Sequence, residues 1–198
     1  MEPKDVIKAQ LMDERDLDRT LDRMARQIVE IFSVHDSPLT DIGLIGMQYR
    51  GVFLARRIQE KIAKVEGIEV PLGILDATMY RDDFRRRLKQ PVVRETVIDF
   101  DVTERHLVLV DDVLYTGRTA RAALDALMDM GRPASVHFLV IVDRGLRELP
   151  IRADFVGRTV PTFSGEEVRV RLHEVDRSEG VWLVEAPAIQ TESGIAEE

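Results

Sequence analysis

Apolar residues recur at helical spacing between Asp13 and Phe32, where Leu17, Leu21, Met24, Ile28 and Ile31 share one face. The pattern predicts an amphipathic helix that Ser37-Pro38 brings to an end. Ile42 to Gly46 is a short apolar run ending in glycine, as expected of a buried strand that enters a tight loop. Gly51 leaves that loop. Over Val52–Val65 the positions Val52, Leu54, Ala55, Ile58 and Ile62 alternate with charges, which predicts a second helix with Gly67 as its C-terminal cap. Val70 to Met79 is apolar and reads as strand, although Pro71 and Gly73 weaken it. Tyr80 to Arg94 is polar, rich in arginine and without period, the pattern of a long loop or hairpin that serves as a lid.

His106 to Val113 is the clearest buried strand. Thr119 to Met130 follows as a helix with Ala123, Leu124, Leu127 and Met128 facing inward, ended by Gly131 and Pro133. Val136 to Val142 is another strand. Strand, helix and strand in that succession form a βαβ unit and imply a parallel sheet. Beyond Asp143 the pattern loosens into short strands over Ile151–Thr159, Val168–Leu172 and Val181–Glu185. The expected architecture is α/β: a mostly parallel sheet flanked by helices, with a small cap (hood) built from the two ends. One domain is expected over residues 1–185, with a lid loop at 80–94 and a frayed tail at 186–198.

Composition narrows the chemistry. The 198 residues suffice for one well-buried core. With no cysteine, a disulfide framework, a thiolate metal site and a cysteine nucleophile are excluded. His35, His106, His137 and His173 show no ligand spacing, which speaks against a histidine-built zinc site. The charged start, Met1 to Gln10, is no secretory signal, and no run reaches the length of a membrane span. A cytoplasmic protein is expected. The formal net charge of −8 argues against indiscriminate nucleic-acid binding, so any RNA contact needs a local basic patch.

The segment that carries chemistry is Leu107-Val108-Leu109-Val110-Asp111-Asp112-Val113-Leu114-Tyr115-Thr116-Gly117-Arg118-Thr119. Four apolar residues form a strand buried on both faces. Two carboxylates stand where it leaves the sheet, and a Thr-Gly-Arg-Thr turn then feeds a helix. Ligands of open parallel sheets bind beyond the carboxyl ends of the strands. The turn offers backbone N–H groups, two hydroxyls and a helix N-terminus, all suited to a phosphate. Asp111 and Asp112 suit vicinal ribose hydroxyls, directly or through a divalent cation. Acid pairs at strand ends are often merely solvated, but here an anion-binding turn follows at once. Together these features describe a phosphorylated sugar. No Gly-x4-Gly-Lys-Ser/Thr pattern exists, so a P-loop kinase is not the reading.

This segment resembles the phosphoribosyl pyrophosphate (PRPP) motif of the type I phosphoribosyltransferases. More narrowly, it is similar to the bifunctional pyrimidine-operon attenuators that are also uracil phosphoribosyltransferases. Tyr80-Arg81-Asp82-Asp83, Gly131-Arg132-Pro133, Val142-Asp143-Arg144-Gly145 and the stretch from Arg147 to Asp154 match the same family in order. The resemblance implies transfer of the phosphoribosyl group of PRPP to uracil, with Mg²⁺, giving UMP and pyrophosphate. It places catalysis on Arg50, Asp111 and Asp112, with Asp111 and Asp112 as candidate contacts of Mg²⁺ carried by PRPP. Gln48, Tyr49, Arg50 and Gly51 are similar in placement to the pyrophosphate loop, with Arg50 on the leaving group. The resemblance further implies that Asp143 and Arg144 meet the base. Arg81, Asp82, Asp83 and Arg85, with Arg86 and Arg87, belong to the lid.

Two departures stand out. Tyr49 occupies a place where a small hydroxyl residue is common, beside an uncharged Gln48. Tyr115 stands where many relatives in the wider class have an acid, and no general base is assigned. Spacing alone does not separate uracil from a purine, so a purine phosphoribosyltransferase is one rival. A nucleotide-sensing RNA-binding regulator with little catalysis is another.

The family's second activity is binding a pyrimidine-operon leader RNA hairpin when uridine nucleotides are abundant. Arg15, Arg19, Arg23 and Arg26 fall within roughly 80° on the first helix, opposite Leu17 and Leu21. Asp18 and Asp22 border this stripe at spacings that allow ion pairs within the helix. Arg144, Arg147 and Arg152 form a second basic group. A homodimer or larger assembly would add such patches together.

Overall fold

Helix α1 (Glu14–Val34) begins where the Asp13 carboxylate accepts the Asp16 N–H at 2.7 Å, a capping contact for a donor that has no intrahelical partner. The computed structural model describes residues 6–34, 39–81 and 95–186. Leu17, Leu21, Met24 and Ile28 of α1 are fully buried, as their spacing predicts. After a 3₁₀ turn at Leu39–Asp41, strand β2 (Ile42–Met47) is buried throughout and leads into α2 (Arg50–Glu66). Gly67 closes α2 in the left-handed conformation at φ 69°, with its N–H on the Ala63 carbonyl, as the sequence predicts.

Strand β1 (Ile7–Met12), β3 (Leu72–Leu75), β4 (His106–Leu114), β5 (Ser135–Asp143), β6 (Phe155–Thr159), β7 (Glu166–Arg171) and β8 (Gly180–Glu185) complete the strands. Helices α3 (Arg118–Met130) and α4 (His173–Asp176) complete the helices. The main sheet has the order β3-β2-β4-β5-β6 and is parallel throughout. Helices α1 and α2 cover one face, packing on Val108, Val110, Leu139 and Ile141. Helix α3 covers the other, against Leu107, Leu109, Phe138 and Val140. Strand β4 is thus buried on both sides, which explains its unbroken apolar run.

The second sheet is antiparallel, β1-β8-β7, and forms the hood from the two ends of the chain. Strand β1 is not legible in the charged start of the sequence, because its order comes from pairing with β8 and not from a buried face of its own. Three other expectations need correction. Strand β3 is confined to Leu72–Leu75, and β6 to Phe155–Thr159. Met128 is 50% exposed; the inward stripe of α3 is Leu127 with Ala120, Ala122, Ala123 and Ala126, four small residues that let the helix lie close to the sheet.

Candidate active site

The carboxyl end of β4 and the first turn of α3 form the centre of the site. Gly117 caps α3 at φ 90°, a conformation that favours glycine. Arg118, Thr119 and Ala120 follow as the first helical residues, whose N–H groups have no intrahelical acceptor and sit at the positive end of the dipole. Around this turn lies a cavity of about 250 Å³, lined among others by Arg81, Asp111, Tyr115, Thr116, Gly117 and Thr119. Phe138 and Glu148 also line it, two residues with no local sequence signal. Arg81 donates to the Thr119 hydroxyl at 3.0 Å. Arg81 is the only one of the four lid residues in view; Asp82, Asp83 and Arg85, together with the rest of 82–94, lie outside the described residues.

Because side chains alternate along a strand, Asp111 and Asp112 diverge. Asp111 is buried and lines the cavity on the α3 side. Asp112 is half-buried and lies within the field of Arg50, on the α2 side. Burial, and then the charge of Asp112, push the Asp111 carboxyl well above the usual carboxylate range, while the Asp112 N–H and the Arg81 charge pull the other way. A cation placed there would relieve that cost. Among the described residues no group of three or more acidic, histidine or cysteine side chains could hold a metal alone.

The loop after β2 brings Arg50 to the start of α2. The Gln48–Tyr49 peptide is cis. Gly51 presses onto β4: a Cβ there would sit well inside contact distance of the Val110 carbonyl oxygen and 3.3 Å from the Asp111 Cα. The absence of a side chain at Gly51 is therefore what allows Arg50 to stand beside the paired carboxylates. Arg50 is held side-on by Asp176 of α4, through Nε at 3.1 Å and Nη2 at 2.6 Å. Nothing in the local sequence around Asp176 signals this role. One helical repeat along, Arg57 is bonded to Glu174 and Glu179.

Asp143 and Arg144, at the end of β5, lie beside Tyr115, with their polar groups already engaged. The Asp143 carboxylate accepts the Gly145 N–H at 2.9 Å and Arg147 Nη2 at 2.5 Å. Arg144 is 7% exposed; it donates to Thr162 and to the Glu166 carbonyl, and its guanidinium lies 4.0 Å from the centre of the Tyr115 ring. Arg147 also bonds the carbonyls of Tyr115, Gly145 and Ile151. Arg147 thereby stitches the 145–151 loop to the phosphate turn, a seam extended by the Glu148 and Leu149 N–H groups on the Thr116 carbonyl and by the Arg118–Glu148 ion pair. Arg152 is exposed. Arg144 and Arg147 are therefore engaged within the fold at the site, and Arg152 is the member of the expected basic group that stands at the surface.

On α1, the expected pairing of Asp18 and Asp22 with neighbouring arginines does not occur. Both carboxylates are taken by Lys61 of α2, at 2.6 and 2.7 Å. Arg19 pairs instead with Asp16 at 2.6 Å, and Arg23 donates to the Gly157 carbonyl on the edge strand β6 at 2.8 Å. Arg158 of β6, missed in the sequence, joins Arg19 and Arg23 around an open depression of about 450 Å³. Arg26 lies apart, in the shallow groove between α1 and α2. Among the described residues no helix is long and apolar enough to cross a membrane.

Residues 10–174 match the family described as the phosphoribosyl transferase domain. Proteins named bifunctional protein PyrR from Thermus aquaticus and Deinococcus deserti are 53% and 48% identical to this chain over 178 and 176 residues. Those alignments cover 90% and 89% of this chain and 96% and 94% of the relatives. A solved hypoxanthine phosphoribosyltransferase from Trypanosoma cruzi, in a ternary substrate complex, superposes with a TM-score of 0.70 at 16% identity, covering 91% of this chain and 96% of that one. At that identity the likeness speaks for the fold alone. With the carboxylate pair and phosphate turn at the end of β4, a family match over most of the chain and relatives about half identical, the chain belongs to the phosphoribosyltransferase family and, within it, to the bifunctional PyrR proteins.

Proposed function

We propose that this chain transfers the phosphoribosyl group of PRPP to uracil and also binds pyrimidine-operon leader RNA in a uridine-nucleotide-dependent way. The observation that carries the reading is the end of β4, where buried Asp111 adjoins the first turn of α3 across a small polar cavity and half-buried Asp112 faces Arg50 on the other side of the strand. The 5′-phosphate sits on the turn Thr116–Thr119, and the ribose hydroxyls face the carboxylates. A ring nitrogen of uracil bonds to the anomeric carbon as the bond to pyrophosphate breaks, and the nitrogen's proton is released to solvent. Arg50 takes up charge on the departing pyrophosphate, an electrostatic role.

The donor set fits Mg²⁺ that arrives with PRPP. The two carboxylates stand on opposite sides of the strand end, and among the described residues no cluster of three ligands forms; this suits an ion that takes one or two carboxylates and completes its shell with substrate oxygens and water. When bound, it neutralises phosphate charge. The protein's own part is to hold the sugar phosphate on the helix N-terminus and keep Arg50 and the carboxylates in register. In this reading the protein acts in the cytoplasm as a homodimer or larger assembly.

Pyrophosphate release from PRPP and Mg²⁺, compared with uracil, hypoxanthine, guanine and no base, tests the catalytic half. Release with uracil alone is expected. Release with a purine would move the chain to another branch, and tight UMP binding without release would leave a nucleotide sensor.

The RNA half draws on the depression bounded by Arg19, Arg23 and Arg158, three guanidinium groups against the single carboxylate of Asp16. Binding of a pyrimidine leader hairpin is expected to fall steeply with salt and to strengthen with UMP. Arg158→Ala should weaken that binding at every salt concentration and lower the slope of log K against log salt by about one. Filter binding across a salt series reads this; an unchanged slope would move the RNA to another face.

A further inference from the structure

The geometry points to Asp176 as the positioning residue for Arg50: its carboxylate fixes the guanidinium so that the unused edge faces the departing pyrophosphate. The inference rests on the proposed pyrophosphate role of Arg50. A guanidinium has two edges able to grip an anion in bidentate fashion, the Nε/Nη2 side and the Nη1/Nη2 end. Asp176 occupies the side edge through both of its oxygens. Among the described residues nothing is bonded to Nη1, so the end edge is left for a second anion.

Asp176 is itself anchored. Its Oδ2 also accepts the Leu172 N–H at 3.0 Å. Its side chain is 18% exposed against 32% for Arg50. Burial would raise this carboxyl, but the bonds from Arg50 and the Leu172 N–H, with the charges of Arg50 and Arg171, hold it below the usual carboxylate range and keep it ionised. The segment that carries it is clamped one helical repeat along α2 by Arg57, through Glu174 and Glu179. Arg50 and Arg57 are seven residues apart and so lie on one face of α2. The hood connection therefore runs along α2 as an acidic rail, and Asp176 sets the direction of the arginine that stands beside Asp112. An arginine left to its rotamers would need ordering at each turnover, a cost that pre-positioning removes.

The test compares three ligands on the full-length protein with Mg²⁺: PRPP in steady-state turnover with uracil, inorganic pyrophosphate as an inhibitor, and UMP by equilibrium binding. Asp176→Asn is expected to raise the KM for PRPP and the Ki of pyrophosphate on the order of tenfold, with UMP affinity unchanged because UMP lacks the pyrophosphate. Asp176→Glu, which restores the charge, should recover part of the loss. Asp18→Asn, which meets Lys61 of α2 and touches neither Arg50 nor the hood connection, should leave both constants unchanged. In an Arg50→Ala background, Asp176→Asn should add nothing, since the second residue acts only through the first.

Unchanged or tighter pyrophosphate binding in Asp176→Asn, where Arg50→Ala is weakened, would overturn the positioning role and leave the role of Arg50 intact. No change in Arg50→Ala would overturn both. A parallel loss of UMP affinity in Asp176→Asn and Asp176→Glu would also overturn the inference, because it would mean that the site as a whole is disturbed.

Discussion

Asp112→Asn is expected to lower PRPP-dependent turnover with uracil by about a hundredfold or more while leaving the thermal midpoint close to that of the parent protein. The amide keeps the size and shape of the carboxylate and one acceptor oxygen, which can still accept the Val113 N–H that Asp112 Oδ1 accepts at 2.9 Å. Folding therefore has little to lose. Catalysis loses the carboxylate on the Arg50 side of a site whose other member, Asp111, is buried and lifted above the ordinary carboxylate range. Asp112, less buried and within the field of Arg50, is the better placed of the two to meet a cation arriving with PRPP. Steady-state pyrophosphate release and a melting curve read the two parts separately. Near-normal turnover in a folded variant would remove the carboxylate pair from the site.

Gly51→Ala should cost about 3 kcal/mol of stability and most of the PRPP affinity together. The added methyl would meet main chain, the Val110 carbonyl and the Asp111 Cα, and not the far end of a side chain that can swing aside. Either α2 lifts away from β4 or the end of β4 yields. The first displaces Arg50, and the second displaces Asp111 and Asp112. A urea midpoint and the KM for PRPP measured on the same preparation test this. A stable variant with an unaltered KM would show that α2 and β4 are not in register contact.

The central βαβ unit was legible because β4 is buried on both faces and α3 starts at a glycine that the turn requires. Helix α1 and the Gly67 cap of α2 were legible for similar reasons, since local period and local chemistry agree there. What the sequence concealed depends on partners distant along the chain. Asp176 binds an arginine on another element, and Lys61 removes Asp18 and Asp22 from the arginines beside them. Arg144 and Arg147 read as surface charge because buried and exposed arginines look alike in a sequence; their positions are set by Glu166, Thr162 and the Tyr115 carbonyl. Ala123 and Leu127 of the expected stripe are buried, but Met128 is not, because the close approach of α3 to the sheet gives the remaining inward places to alanines.

The hood sheet has a further consequence for the order in which the protein can be built on the ribosome. Its middle strand, β8, is the last described strand to be synthesised, while β1 is the first. Strand β1 has no partner until nearly the whole chain has emerged, and a pairing so distant in sequence closes late. The phosphate turn and α3, which rest on nearby strands, need no such wait. A growing chain can thus own a shaped nucleotide cradle before Asp176 exists to hold Arg50. Arg50 is set by Asp176 only when synthesis has passed α4, so on the proposed role of Arg50 the capacity to turn over PRPP follows the capacity to hold a nucleotide.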